Sequence, residues 1–205
     1  MMVTSLAPVY VVRHGVTDWN IERRFQGARN IPLNDTGRRQ AAANGRLLGA
    51  FVGNQPTRFD FVSSPLSRTR ETMELVRDAM DLEPANYRTD KRLVEVCFGD
   101  WEGQTYDELS ETMPDHVEKR TRDKWNFQPR GENAESYEIL SWRVAAWLND
   151  VELPTVCTTH GGVIRTLFHI VAGVPGSKAA ELPIPHDRVL KIENGVLEWL
   201  ERPAG

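Results

Sequence analysis

At three places in this chain a short run of mostly apolar, β-branched residues stops at a polar cluster, and a segment of helical periodicity follows. The runs are Pro8–Val12, Phe59–Val62 and Thr155–Thr159. Apolar side chains on successive positions point to both faces of a strand, so each run reads as a strand covered on both sides. The helical segments are Gly37–Leu48, entered through Asn34-Asp35-Thr36, then Leu66–Met80 and Gly162–Ala172. Strands alternating with helices predict an α/β fold, a three-layer α/β/α sandwich around a mostly parallel central sheet. Arg188–Ile192 and Val196–Leu200 alternate across Asn194-Gly195, a hairpin signature that adds an antiparallel edge at the end of the chain.

Between these units the pattern weakens. Tyr87–Val94 suits a short strand, and Glu95–Gly103 is too rich in glycine and acid to extend it. Residues 104–131 read as short helices joined at Pro114 and closed by Pro129-Arg130-Gly131, an excursion over the rim of the site. Glu135–Leu148 places Tyr137, Leu140, Val144, Trp147 and Leu148 on one helical face, which should pack on the sheet. At 205 residues the whole chain, 1–205, fits one domain.

A formal charge of −4 supplies no basic field, so nucleic acid and anionic membrane are not expected partners. The 25 lysines and arginines still permit a local anion site. No apolar run approaches the length of a membrane span. Cys97 and Cys157 lie 60 positions apart without metal or disulfide spacing, and read as small buried hydrophobes in a reducing cytoplasm. Met1–Pro8 has no basic residue ahead of its apolar stretch and carries no leader signature.

In open α/β sheets, ligands bind outside the carboxyl ends of the strands. Three polar clusters fall there: Arg13-His14-Gly15, Ser63-Ser64-Pro65-Leu66-Ser67-Arg68 and His160-Gly161-Gly162. If the strands are neighbours, His14, His160, Arg13 and Arg68 converge on one crevice. Such a set suits a compact dianion, most naturally a phosphoryl group, which guanidinium forks grip bidentately. A neutral imidazole among them can attack phosphorus and carry it covalently. Taken singly, a histidine after a strand is usually structural; the conjunction carries the argument.

Val11-Val12-Arg13-His14-Gly15-Val16-Thr17-Asp18-Trp19-Asn20 resembles the opening motif of the histidine phosphatase superfamily, the phosphoglycerate mutase-like family. The likeness continues, in the family's order, through Phe25-Gln26-Gly27, Pro32-Leu33-Asn34, Thr36-Gly37, Ser63–Thr72, Glu95–Gly103 and Thr159–Arg165. By that resemblance His14 is the nucleophile that becomes phosphohistidine. Arg13, Arg68 and His160 hold the phosphoryl oxygens, and Thr17 and Asn20 add donors. Glu95 protonates the leaving alkoxide and then activates water, a role that needs its carboxyl kept protonated by burial; the bland alternative pairs it with an arginine. Gln26 and Gly27 border the leaving-group side, and Gly161 offers a backbone N–H. Trp101 is a wall of the pocket or a rim aromatic. Val16 stands where many relatives carry Glu or Gln.

Arg130–Ser136 is similar to the family's Gly-Glu-Ser helix start, with Asn133-Ala134 intervening; here Asn133 is the expected helix cap. His169 reads as packed on an apolar helix face, His116 as part of the charged excursion and His186 as part of a proline-rich loop. No His, Asp or Glu set has metal-ligand spacing, so catalysis without a metal or other cofactor is expected. The leading reading is a cytoplasmic phosphomonoester hydrolase acting on a small phosphorylated substrate. A phosphoglycerate mutase is the rival; mutases that depend on the bisphosphate tend to be longer and carry a basic clamp after the Glu motif, where this chain has an acidic Tyr106–Glu111 and then a basic Lys119–Arg122. A phospho-ligand binding module without catalysis is the third reading.

Overall fold

The computed structural model describes residues 7–53 and 55–200; the reading of the first six as free of a leader lies outside them. The elements are β1 (Val9–Arg13), α1 (Asp18–Ile21), α2 (Asp35–Val52), β2 (Asp60–Ser63), α3 (Ser67–Asp78), β3 (Arg88–Thr89), α4 (Tyr106–Thr112), α5 (Pro114–Arg122), α6 (Tyr137–Asn149), β4 (Thr155–Thr159), α7 (Gly161–Ala172), α8 (Gly176–Ala179), β5 (Val189–Glu193) and β6 (Val196–Trp199). They build a six-stranded sheet in the order β3-β2-β4-β1-β5-β6. The first four strands are parallel, and β5 and β6 are antiparallel additions. Asn194 and Gly195 turn the final hairpin with φ of 51° and 77°, left-handed backbone that these two residue types tolerate.

Alternation along β1 divides the core. Val9 and Val11 join Val62, Cys157, Leu190 and Ile192 on the face covered by α6 and α7, where Leu140, Val144, Ile164 and Leu167 are fully buried. Tyr10 and Val12 join Phe61, Val156 and Val189 on the opposite face, against Leu47, Leu48, Met73 and Val76 of α2 and α3. The sheet is therefore sandwiched between two helix layers, as the consecutive apolar runs require. A smaller core of Trp101, Leu109 and Val117, with Phe25, Phe98 and Phe127 against it, lies under α4 and α5.

Two sequence expectations are corrected. The strand expected over Tyr87–Val94 shrinks to Arg88–Thr89, an exposed edge pair, because Asp90 caps a turn of 3₁₀ helix at Lys91–Leu93 and takes the chain off the sheet. The helix expected from Glu135 starts at Tyr137, capped by Ser136, whose hydroxyl accepts from the Ile139 N–H. Asn133 is instead a left-handed turn residue with φ 58°.

Candidate active site

The register fixes the site. Arg13 of β1 stands opposite Thr159 of β4, and Thr158 of β4 opposite Ser63 of β2. Three strands thus end at one level, and the next residues, His14, His160 and Ser64, meet above the sheet. The His14 N–H donates to Thr159 O at 2.9 Å and the Ser64 N–H to Thr158 O at 3.0 Å, so the ladder extends into both loops. The His14 and His160 rings lie 5.3 Å apart, edge to face. A cavity of about 140 Å³ opens here, lined by Arg13, His14, Asn20, Gln26, Gly27, Arg68 and Glu95. Arg24, Phe25, Phe98, Tyr137 and Arg165 complete its wall.

His14 is set up as a neutral base. Burial, then the guanidiniums of Arg68 and Arg13, push its pKa well below the ordinary 6.5. Its Nδ1 lies 2.7 Å from the carbonyl of Gly15, which can only accept, so Nδ1 carries the proton and Nε2 keeps its lone pair. Burial and the Arg68 charge likewise hold His160 well below the ordinary value. His160 Nε2 is 2.8 Å from Ser64 Oγ, and its Nδ1 is buried without a protein partner.

The two arginines are anchored by main-chain carbonyls rather than carboxylates. Arg13 Nη1 donates to Ile184 O, and Arg68 donates from Nη1 to Arg29 O and from Nη2 to Gly27 O. Among the described residues neither enters an ion pair within 4.0 Å, so both charges remain available. Burial lowers each pKa to about 10, partly offset by the charge of Glu95, and both stay cationic at neutral pH. The Nε of each, like Gln26 Oε1, is buried with no partner in the protein. Gly27 takes φ +52°, and a Cβ there would meet the Glu102 carboxylate at 1.8 Å, so the carbonyl that orients Arg68 depends on this glycine.

Thr17 and Asn20 form the capping box of α1: Thr17 N and Oγ1 donate to Asn20 Oδ1, and Asn20 N donates to Thr17 Oγ1. The Thr17 hydroxyl, expected to face a phosphoryl oxygen, is fully buried in this box. Its geometry leaves the Asn20 Nδ2 donors for the cavity. Gly161 opens α7 with its N-terminus at the site, where unpaired N–H groups favour anions.

Glu95 accepts hydrogen bonds from Val96 N at 2.9 Å and Gly162 N at 3.1 Å. No arginine pairs with it among the described residues. A Cβ on Gly162 would lie 2.2 Å from Glu95 Oε1, so only glycine lets the carboxylate sit against α7. The Glu95 loop is held by Arg143 of α6, which donates to the carbonyls of Arg92, Val94 and Glu95 and forks onto Glu135. Glu135 also accepts from Cys97 N. Within Gly131–Ser136, Glu135 thus ties the loop and Ser136 caps the helix.

Trp101, expected as pocket wall or rim, is neither. It is fully buried in the smaller core, because Phe25 and Phe127 close over its ring at 5.5 and 5.1 Å. His116 packs edge-on against Phe127. His169 packs on Trp125 and bonds Val174 O at the end of α7, as its apolar face implies. Cys157 is buried and Cys97 half-buried, both as free thiols. Sequence reasoning missed Arg143 and His186. The first is one polar position on an amphipathic helix and gives no local signal; the second follows Pro185 in a loop, yet its Nδ1 is 2.7 Å from the main-chain oxygen of His14.

The sequence profile of the histidine phosphatase superfamily (branch 1) matches residues 9–198. The chain is 32% identical over 202 residues to "Probable phosphoglycerate mutase GpmB" of Klebsiella pneumoniae, covering 94% of this chain and 87% of that protein. It is 31% identical over 173 residues to "Uncharacterized phosphatase PhoE" of Bacillus subtilis, covering 82% and 79%. In fold it is similar to a phosphoserine phosphatase of Entamoeba histolytica, with a TM-score of 0.74, 21% identity and 96% of each chain covered. The chain belongs to the histidine phosphatase superfamily, a group whose members named here include a phosphatase and a phosphoglycerate mutase.

Proposed function

We propose that this chain is a single-domain, metal-independent phosphomonoester hydrolase of the cytoplasm, working through a phosphohistidine on His14. The observation that carries the reading is the neutral His14, its Nδ1 proton committed to Gly15 O, placed beside two guanidiniums with no carboxylate partner. The His14 Nε2 lone pair attacks phosphorus as the ester P–O bond breaks. Arg13, Arg68, the Asn20 amide, His160 Nδ1 and the first N–H of α7 take the charge on the equatorial oxygens. Glu95, as the general acid of this step, passes a proton to the leaving alkoxide. The same carboxylate then removes a proton from water, whose oxygen attacks phosphorus; the P–N bond breaks and phosphate leaves with His14 neutral again. Two arginines and a helix N-terminus supply the positive field that other phosphoryl-transfer sites draw from a metal. Leu109 and Val117 of the excursion at 104–131 pack with Phe25 and Phe98, two wall residues of the cavity.

The mutase reading keeps one specific support besides the named relative. Arg120 of α5 is buried over Phe25 and Trp101, at 5.3 and 5.9 Å, without a carboxylate partner among the described residues. The deciding experiment is the initial rate of inorganic phosphate release, with chelator present, over a panel of phosphomonoesters that includes 3-phosphoglycerate. Release from one or a few compounds supports the hydrolase. No release, with 3-phosphoglycerate isomerised when a bisphosphate primer is added, establishes the mutase. A rate that disappears with chelator and returns with Mg²⁺ or Zn²⁺ contradicts the metal-free mechanism.

A further inference from the structure

β1 and β5 pair antiparallel only as far as Val12 and Val189. Past that point β1 loses its hydrogen-bonded neighbour on this side, just where its backbone carries His14. A side chain takes over the missing link. His186, in the loop between α8 and β5, donates from Nδ1 to the main-chain oxygen of His14 at 2.7 Å. That oxygen can only accept, so the proton resides on His186 Nδ1. The His186 ring stands edge-on to the His14 ring, with centroids 5.6 Å apart at 66°. His186 is itself held: its carbonyl accepts from Asn44 Nδ2 at 3.0 Å, and Asn44 is a buried residue of α2.

His14 is therefore fixed from three directions. Its N–H is bonded to β4, its carbonyl to His186, and its ring to Gly15 O. We infer that His186 is a positioning residue for phosphoryl transfer, clamping the His14 backbone by its Nδ1–H and bracing the ring so that Nε2 stays in line with phosphorus. Burial and the Arg13 charge lower the His186 pKa to about 4, so the brace is uncharged at neutral pH and adds no cation to the cradle. The inference rests on the reading of His14 as the phosphoryl acceptor.

Asn and Gln separate the two ring nitrogens. The Asn amide nitrogen falls near the place of Nδ1 and can keep the bond to His14 O, whereas the Gln amide reaches toward the place of Nε2 and cannot. The experiment is rapid-quench measurement of phosphohistidine formation from p-nitrophenyl phosphate, with KM determined alongside, for the wild type, His186→Asn, His186→Gln and His186→Leu. The expected result is phosphorylation slowed about 10- to 100-fold in the Gln and Leu variants, with KM changed less than about twofold. His186→Asn should recover to within about threefold of wild type. Since Asn and Gln are both polar, their contrast decides the matter even if the Leu variant folds poorly. Wild-type rates in the Gln variant, or equal losses for Asn and Gln, would overturn the positioning role. A wild type that releases phosphate without a phosphohistidine would overturn the underlying reading instead.

Discussion

At the scale of single residues the site separates charge from nucleophilicity. Arg13 and Arg68 stay cationic, while the same charges and the burial they share with His14 keep the imidazole unprotonated. On the proposed phosphohistidine mechanism, replacing His14 with Ala should lower turnover by on the order of 10⁴ or more. Phosphate affinity, read by calorimetry, should persist because the arginines remain; an active His14→Ala protein would remove the phosphohistidine from the mechanism. Glu95→Gln should slow alkyl phosphates by about 10²- to 10⁴-fold and p-nitrophenyl phosphate by under about tenfold, since a good leaving group needs no proton. Equal losses on both would take Glu95 out of the acid role. These residues were legible in the sequence because each ends a buried strand or sits in a spaced motif. Trp101 was misplaced for the opposite reason: an aromatic beside glycines looks the same whether it faces ligand or fills a satellite core, and only Phe25 and Phe127 closing on it decide.

At the scale of elements, what aims Glu95 is a helix distant in sequence. Arg143 of α6 gathers three carbonyls of the loop, and its side chain and that of Glu135 are 22% and 18% exposed. Arg143→Leu leaves those carbonyls and the Glu135 carboxylate without their partner. It should cost about 2–4 kcal/mol, less than a fully buried pair because both groups retain some solvent. Urea unfolding measures the loss. The Arg143→Leu, Glu135→Leu double variant should recover part of it, because the uncompensated carboxylate is gone. In the single variant kcat should fall more than KM rises, because the backbone that carries Glu95 loses its anchor. No neighbour-by-neighbour reading finds this clamp. Helical periodicity marks α6 as amphipathic but cannot say that one polar position reaches across to a loop some 50 residues earlier. The strand expected over Tyr87–Val94 is cut short for a related reason: Asp90 capping the 3₁₀ turn decides the local conformation.

At the scale of the molecule, the alternation of buried runs and helices was enough to give the layers, the parallel centre and the antiparallel edge, because burial on both faces and the Asn-Gly turn each leave a local trace. Spatial strand order left no such trace, and it is the order β2-β4-β1 that brings three loops to one point. That convergence has a thermodynamic cost that can be measured. His14, His160 and His186 share one buried region with Arg13 and Arg68, and burial comes first among the causes holding each below its ordinary 6.5. The unfolded chain takes up protons on these imidazoles as pH falls below 6.5, while the folded chain does not, so the unfolded state binds more protons and stability falls with falling pH. For His186 the window runs from 6.5 down to about 4. Each histidine contributes a slope of up to about 1.4 kcal/mol per pH unit inside its window. Urea unfolding between about pH 7 and pH 4 should therefore show a stability loss steeper than one histidine explains. His186→Asn should remove one histidine's share of that slope, up to about 3 kcal/mol across its window. An unchanged slope in this variant would mean that His186 is not held neutral by the fold.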